Sequence, residues 1–263
     1  MITDTSTSSL KKISELSSRK KSRDASKVFI AEGWRLVAEA PEELIRELYI
    51  SASFHASADA DRKRFISEHS DICHLISDKA FSRISDTDTP QGILAVMERC
   101  ESDIEKMLSR EKNPLLLIID RVQDPGNLGT IFRSSEAAGV TGILLCKGTV
   151  DIYQPKVVRS TMGSIYRLPF AHADSAEEAA MLLKKRGVII AAADIGDYIS
   201  YDMIDSKKSL AYIIGNEGNG LSEAAKCSAD IFVSIPMLGK VESLNAAVTA
   251  SILVFDAARR RRG

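Results

Sequence analysis

The chain has 263 residues, 44% of them hydrophobic, and 35 Lys and Arg balance 36 Asp and Glu for a formal net charge of -1. That length supports one large or two modest domains with their own cores. Near-neutrality excludes a global field that would drive the protein onto nucleic acid or membrane, so affinity for a polyanion has to come from local patches.

Cys73, Cys100, Cys146 and Cys227 lie far apart with no C-x-x-C spacing, and most sit in apolar or helical contexts. This argues for buried thiols in a reducing compartment and against a metal site. The N-terminus (MITDTSTSSLKK) lacks the apolar stretch of a signal peptide, and no later run is long enough to span a membrane. A cytoplasmic protein without a membrane partner is expected.

Residues 1 to about 27 start polar and turn basic, with Lys11, Lys12, Arg19, Lys20, Lys21, Arg23 and Lys27 against Glu15 and Asp24. Two readings stand: a solvated helix face, or a surface that contacts phosphates. Strands are expected at Val28 to Ala31, Leu48 to Ser51, Ile72 to Ile76 and Gly92 to Met97. Helical patterns at Gly33 to Ala40 and Ala58 to His69 separate them, which predicts a small α/β layer structure over residues 1–100. Residues 101–113 are charged, end at Pro114 and read as a linker.

The second unit, 114–263, opens with the unalternating apolar run Leu115 to Asp120, as expected of a strand covered on both faces. A helix follows from about Leu128 and stops at Gly139. Further strands are expected at Ile143 to Cys146, Val188 to Ala193, Leu210 to Ile214 and Ile231 to Ile235. A capping-box helix starts after Ser175, and a long final helix runs from about Ser243, where Ser243 or Asn245 could cap it. Strand and helix alternating in this way predict a mostly parallel sheet covered by helices.

Three loops stand out, each after an apolar run: Asp120 to Gly139, Ile213 to Leu221, and the segment following Ile231. In a parallel sheet such loops meet at the carboxyl edge and can line one pocket. None is a nucleotide-phosphate loop, because G-x-x-x-x-G-K-[ST] is absent and Gly215 to Gly220 does not follow the G-x-G-x-x-G order. Glu217, within that turn, would repel a phosphate and suit hydroxyls or a positive centre. From spacing alone Arg133 reads as a solvent-facing arginine slightly ahead of a site residue.

Taken together, the three stretches resemble the motifs of the SpoU (TrmH-like) family of RNA ribose 2'-O-methyltransferases in the SPOUT superfamily. The first match runs through Asp124, Pro125, Gly126, Asn127, Gly129, Arg133, Ala138 and Gly139, and the second through Gly215, Glu217 and Gly218. The third runs through Ile235, Pro236, Met237, Ser243, Leu244 and Asn245. Pro155 to Ser160 with Gly163 resemble the family's connecting helix. Lys20 to Arg23, Phe29 to Leu36 and Gln91 to Val96 resemble the L30e-like substrate-binding domain that many members carry.

The resemblance implies an α/β protein with a small N-terminal L30e-like domain and a trefoil-knotted SPOUT catalytic domain. It also implies S-adenosylmethionine as cofactor and a homodimer, formed through the C-terminal domain, whose sites take residues from both subunits. Carried over residue by residue, Arg133, Asn127, Glu217, Ser243 and Asn245 are the catalytic positions. Gly215, Ile235, Leu244, Met237 and Thr149 bind the cofactor, and Lys20, Lys21, Arg23 and Arg35 contact RNA. Ribosomal RNA is the expected substrate. The alternatives are tRNA, or an inactive RNA-binding or ribosome-assembly protein on the same fold.

Overall fold

A computed structural model describes residues 7–196 and 198–262; the first six residues of the polar N-terminal stretch lie outside the described residues. The chain forms two compact units. One comprises the chain up to Cys100 together with Asp151–Tyr166, and the other comprises Glu101–Val150 and the chain from Arg167 onward.

The first unit contains α1 (Thr7–Ser18), α2 (Lys20–Ser26), β1 (Val28–Glu32), α3 (Trp34–Ala38), β2 (Ile45–Ser51), α4 (Ala52–Ala56), α5 (Ala60–Glu68), β3 (Cys73–Ile76), α6 (Asp78–Ile84) and β4 (Ile93–Glu98). The strands form a mixed sheet in the order β1-β4-β2-β3, with β4 antiparallel to both neighbours and β2 parallel to β3. Ile13 and Leu16 on α1 bury themselves against Ile30, Tyr49, Phe81 and Leu94, so the apolar face of the basic N-terminal helix belongs to the core. This burial ties the helix down far more firmly than its short length could. Local caps set the short helices: Asp59 accepts from the Arg62 N–H at 2.9 Å, and Ser77 accepts from Ala80 at 3.2 Å.

The second unit begins with α7 (Ile104–Leu108), β5 (Leu115–Ile119), α8 (Pro125–Ala138) and β6 (Gly142–Cys146). After α9 (Pro155–Thr161) and α10 (Ser164–Arg167), which belong to the first unit but for Arg167, come β7 (Phe170–Ala173), α11 (Ala176–Lys184), β8 (Ile189–Ala193), β9 (Ile199–Ser200), β10 (Leu210–Ile214), α12 (Glu223–Ser228), β11 (Ile231–Ser234) and α13 (Ala246–Arg262). Its seven strands run parallel in the order β7-β6-β5-β10-β8-β11-β9. All five residues of β5, β6 and β10 are buried, which explains their unalternating apolar sequences.

Two segments differ from the sequence-based division. Residues 101–113, expected as a linker, carry α7, whose Met107 is fully buried in the core of the second unit beside Leu116 and Leu144. Gly142 makes room for it, since a Cβ there would sit 1.8 Å from the Met107 sulfur. Asp151–Tyr166, expected within the catalytic domain, packs with the first unit: the Phe29 and Tyr153 rings pack in a tilted arrangement with centroids 5.0 Å apart, and Val157 and Val158 are fully buried.

The helix boundaries also shift for local reasons. α8 starts at Pro125, earlier than expected, because Asp124 caps it by accepting the Asn127 N–H at 2.8 Å and proline suits the first helical position. Gly139 closes it in the left-handed conformation, φ 75. α13 starts at Ala246, with Asn245 immediately before it as the cap: its Oδ1 accepts from the Ala247 N–H at 2.8 Å.

No helix among the described residues is long and apolar enough to cross a membrane. Cys146 is buried, Cys73 and Cys100 are half-buried and Cys227 is exposed. Burial pushes the Cys73 thiol up to about 11 and, with help from the nearby Asp120 and Glu178, the Cys146 thiol up to about 12.

Candidate functional site

The carboxyl ends of β5, β10, β8 and β11 lead into the three singled-out loops and into a fourth, 194–196. A cavity of about 590 Å³ opens there, within the size range of small-molecule sites. Of the expected residues, Gly215, Glu217, Ile235, Met237, Ser243 and Leu244 line it. The 194–196 wall was not anticipated; its signal in the sequence was only that Asp194 directly follows a strand.

The turn after β10 is held in shape by its own amides. Asn216 and Gly220 form a two-way backbone bridge at 2.9 and 3.0 Å. Asn216 Oδ1 accepts from the Gly218 and Asn219 N–H groups at 3.0 and 2.9 Å, while its Nδ2 reaches Arg121 O at 2.8 Å. The approach is so close that a Cβ on Gly215 would lie 2.6 Å from the carbonyl carbon of Gly220, which only glycine tolerates.

Glu217 projects from this turn towards the loop after β5. Its Oε1 accepts from Asn127 Nδ2 at 2.9 Å and the Asp124 N–H at 3.1 Å, and its Oε2 accepts from the Gln123 N–H at 3.1 Å. Burial alone raises the Glu217 carboxyl, but the bonds from Asn127 and from the backbone of Gln123, Glu217 and Asp124 outweigh it, so it titrates below its ordinary value. The backbone donors that could have cradled a phosphate are thus already taken by a protein carboxylate.

Asn127 passes the connection on. Its Oδ1 accepts from Asn245 Nδ2 at 2.8 Å, and Asn245 Oδ1 caps α13. One run of polar side chains, Glu217 to Asn127 to Asn245, therefore joins all three loops. Asn216, Gln123 and Asp120 were missed from the sequence although they brace the same loops. Asp120, almost fully buried, accepts from the Ser222 N–H at 2.7 Å and pairs with Arg121 at 3.3 Å.

Four expected site residues do not line the cavity: Asn127 and Asn245, which reach it only through their bonds to the loops, and Arg133 and Thr149. Arg133 is exposed on α8 and is not among the lining residues, and its side chain makes no hydrogen bond or ion pair among the described residues. Six residues along a helix place it about 120° around the axis from Asn127. Thr149 also does not line the cavity; its hydroxyl donates to Ile119 O at 3.1 Å.

The expected RNA-contacting residues divide. Lys20 and Lys21 are exposed, and Arg35 is exposed beside Glu39 at 3.2 Å. Arg23 is corrected: it is 3% exposed, its guanidinium pairs with Asp151 at 2.6 Å, and it donates to Leu16 O at 2.7 Å. It stitches α1 and α2 to the 151–166 segment, so it presents no charge to solvent. The terminal arginines also serve the fold. Arg260 donates to the carbonyls of Tyr201, Asp202 and Ile204, and Arg261 to those of Asn113, Pro114 and Lys208.

The chain is similar to known proteins over nearly its whole length. The SpoU rRNA Methylase family matches residues 114–255, and the MRM3-like substrate binding domain matches residues 7–95. A Bacillus subtilis relative, the 23S rRNA (guanosine(2553)-2'-O)-methyltransferase RlmP, is 35% identical over 90% of both chains. Among solved structures, the SpoU methyltransferase AviRb from Streptomyces viridochromogenes in complex with AdoMet superposes with a TM-score of 0.85 at 26% identity, covering 97% of this chain and 98% of that one. An AdoMet-bound rRNA methyltransferase from Sinorhizobium meliloti does so with a TM-score of 0.82 at 30% identity, over 95% and 94%. The chain belongs to the SpoU methylase family, with a substrate-binding domain of the MRM3-like type at its N-terminus.

Proposed function

We infer that the protein is an S-adenosylmethionine-dependent RNA ribose 2'-O-methyltransferase acting on ribosomal RNA. The observation that carries this reading is the Glu217–Asn127–Asn245 connection, which fixes three motif loops beside a cavity whose described lining holds carboxylates and no cationic side chain. Such a cavity suits a sulfonium cofactor and disfavours a nucleotide phosphate. S-adenosylmethionine supplies an electrophilic methyl group. Gly215, Ile235, Met237 and Leu244 would hold its adenosine and methionine ends.

Acceleration comes mainly from positioning. A guanidinium stays protonated, so Arg133 acts by stabilising negative charge that develops on the ribose 2'-oxygen rather than by removing its proton. Ser243 stands at the cavity for the ribose, while Glu217, Asn127 and Asn245 hold the loops. Because Arg133 does not line the cavity of its own chain, it serves the cavity of a partner subunit in a homodimer. Val248 and Phe255, about half exposed on α13, offer apolar surface for that dimer. Ala246, Ala247 and Ala250 on the same helix are buried within the chain and serve its own packing. The knotted path of the catalytic domain is part of the same proposal.

The exposed Lys20, Lys21 and Arg35 present charge to RNA phosphates, which orient the substrate, while the catalytic domain selects the ribose. The test is a map of ribose 2'-O-methylation across cellular RNA in a strain lacking the gene, restored with wild type or with Arg133→Ala. Loss of one ribosomal site, regained only with wild type, is expected. A map that does not change although the gene is expressed would favour an RNA-binding or assembly protein.

A further inference from the structure

The cavity is electrostatically one-sided. Its described lining includes the carboxylates Asp194, Glu217 and Glu242 and no Lys, Arg or His. These acids differ in what they are free to do. Glu217 is engaged by Asn127, Gln123 and Asp124. Glu242 is exposed, so water and salt screen it.

Asp194 is half-buried, directly after β8. Its N–H donates to Val233 O at 3.1 Å, which fixes the residue against β11, and its Oδ1 accepts from the Ile195 N–H at 2.9 Å. Among the described residues its Oδ2 accepts no hydrogen bond. Lys226, whose ammonium is favoured first by Glu223 and only to a lesser extent by Asp194, pairs with Glu223 at 3.3 Å. A screened but uncommitted negative charge therefore faces the cavity.

We propose that Asp194 is a specificity-determining residue through which the cavity distinguishes S-adenosylmethionine from S-adenosylhomocysteine by charge. This rests on the cofactor reading above. Methyl transfer breaks the bond from sulfur to methyl and forms one from the 2'-oxygen to methyl; the hydroxyl proton is released, and sulfur keeps the electron pair as a neutral thioether. The spent cofactor differs from the fresh one by a methyl group and a positive charge. Apolar lining such as Ile235 and Leu244 holds the shared adenosine of both forms alike. A fixed carboxylate with no competing cation in the lining favours the charged form and lets the neutral product leave.

The test is calorimetric titration of the full chain with S-adenosylmethionine, S-adenosylhomocysteine and sinefungin, whose protonated amine carries positive charge where the methylsulfonium would be. Wild type should bind the two cationic ligands more tightly than S-adenosylhomocysteine. Asp194→Asn should shrink that preference by about tenfold, the scale of one partly screened charge pair, and leave affinity for the neutral ligand within about twofold. Asp194→Glu keeps the charge and should keep most of the preference. If Asp194→Asn weakens all three ligands equally, or leaves their ratios unchanged, the proposal is overturned while the cofactor reading stands. If wild type binds none of them, the cofactor reading fails and the proposal falls with it.

Discussion

The Asn127 side-chain amide donates to Glu217 at 2.9 Å and accepts from Asn245 at 2.8 Å, so its orientation is fixed from both ends. Asn127→Asp replaces the donor facing Glu217 with an oxygen and sets two carboxylates at hydrogen-bond distance. The variant should lose about 1–3 kcal/mol of stability at pH 8, the range for a disrupted polar contact, and less at pH 5, where the pair can share a proton. Denaturant unfolding at the two pH values measures both. Equal losses at both would show that repulsion is not the cause.

Glu217 gives the acid limb of stability a specific source. Its folded-state pKa is held below the ordinary 4.5. The stabilisation from its ionised form is therefore fully present above that value and is lost as pH falls through the lower, folded value. Glu217→Gln should reduce the fall in melting temperature in acid. Its cost at neutral pH should be about 1 kcal/mol, since the residue is largely solvent-facing and its bonds exchange with water. Thermal scans of both proteins across the acid range read this out.

The basic N-terminal segment separates into a structural and a surface part. Arg23→Ala leaves Asp151 without its buried partner and should cost about 3–5 kcal/mol. Lys20→Ala with Lys21→Ala should change stability by less than about 0.5 kcal/mol. The same double variant should weaken RNA binding and reduce the slope of log affinity against log salt by about 0.7 per lost phosphate contact on single-stranded RNA. Unfolding curves and salt-dependent binding assays separate the two effects. An unaltered salt slope in the lysine variant would remove those residues from the RNA surface.

Arg133→Ala should abolish methyl transfer, leave stability within about 0.5 kcal/mol and leave cofactor affinity nearly intact, because the side chain is exposed and outside the cavity of its own chain. Mixing this variant with a cavity-defective Gly215→Ala subunit adds a sharper check. If Arg133 serves the partner's cavity, a mixed dimer contains one site with both residues intact, and activity should return. Persistent inactivity in dimers shown to be mixed would place Arg133 elsewhere.

Much of this was legible in the sequence because it depends on local chemistry. The apolar runs of β5, β6 and β10, the glycine stop of α8 and the three loops follow from periodicity and from backbone demands at single residues. The role of Arg23 was not legible, because its partner Asp151 lies 128 residues away and a basic run looks the same whether it faces solvent or a buried acid. β7, β9, α6 and α12 were too short or too weakly patterned to stand out. α7 was hidden for a related reason: only the space above Gly142 makes Met107 a core residue. Asn216 was visible within a glycine-rich turn, but its twin role as brace and turn-former depends on Arg121, nearly a hundred residues earlier.

The first unit's second segment, Asp151–Tyr166, has a consequence for how the chain is made and how it can be cut. During synthesis β1 is complete long before Tyr153, Val157 and Val158 exist to cover it, so the first unit cannot finish folding until β5, α8 and β6 of the second unit have left the ribosome. Excision meets the same constraint. A fragment beginning after Cys100 keeps a strip of apolar side chains whose cover has been removed, and a transplanted substrate-binding unit needs both pieces of chain.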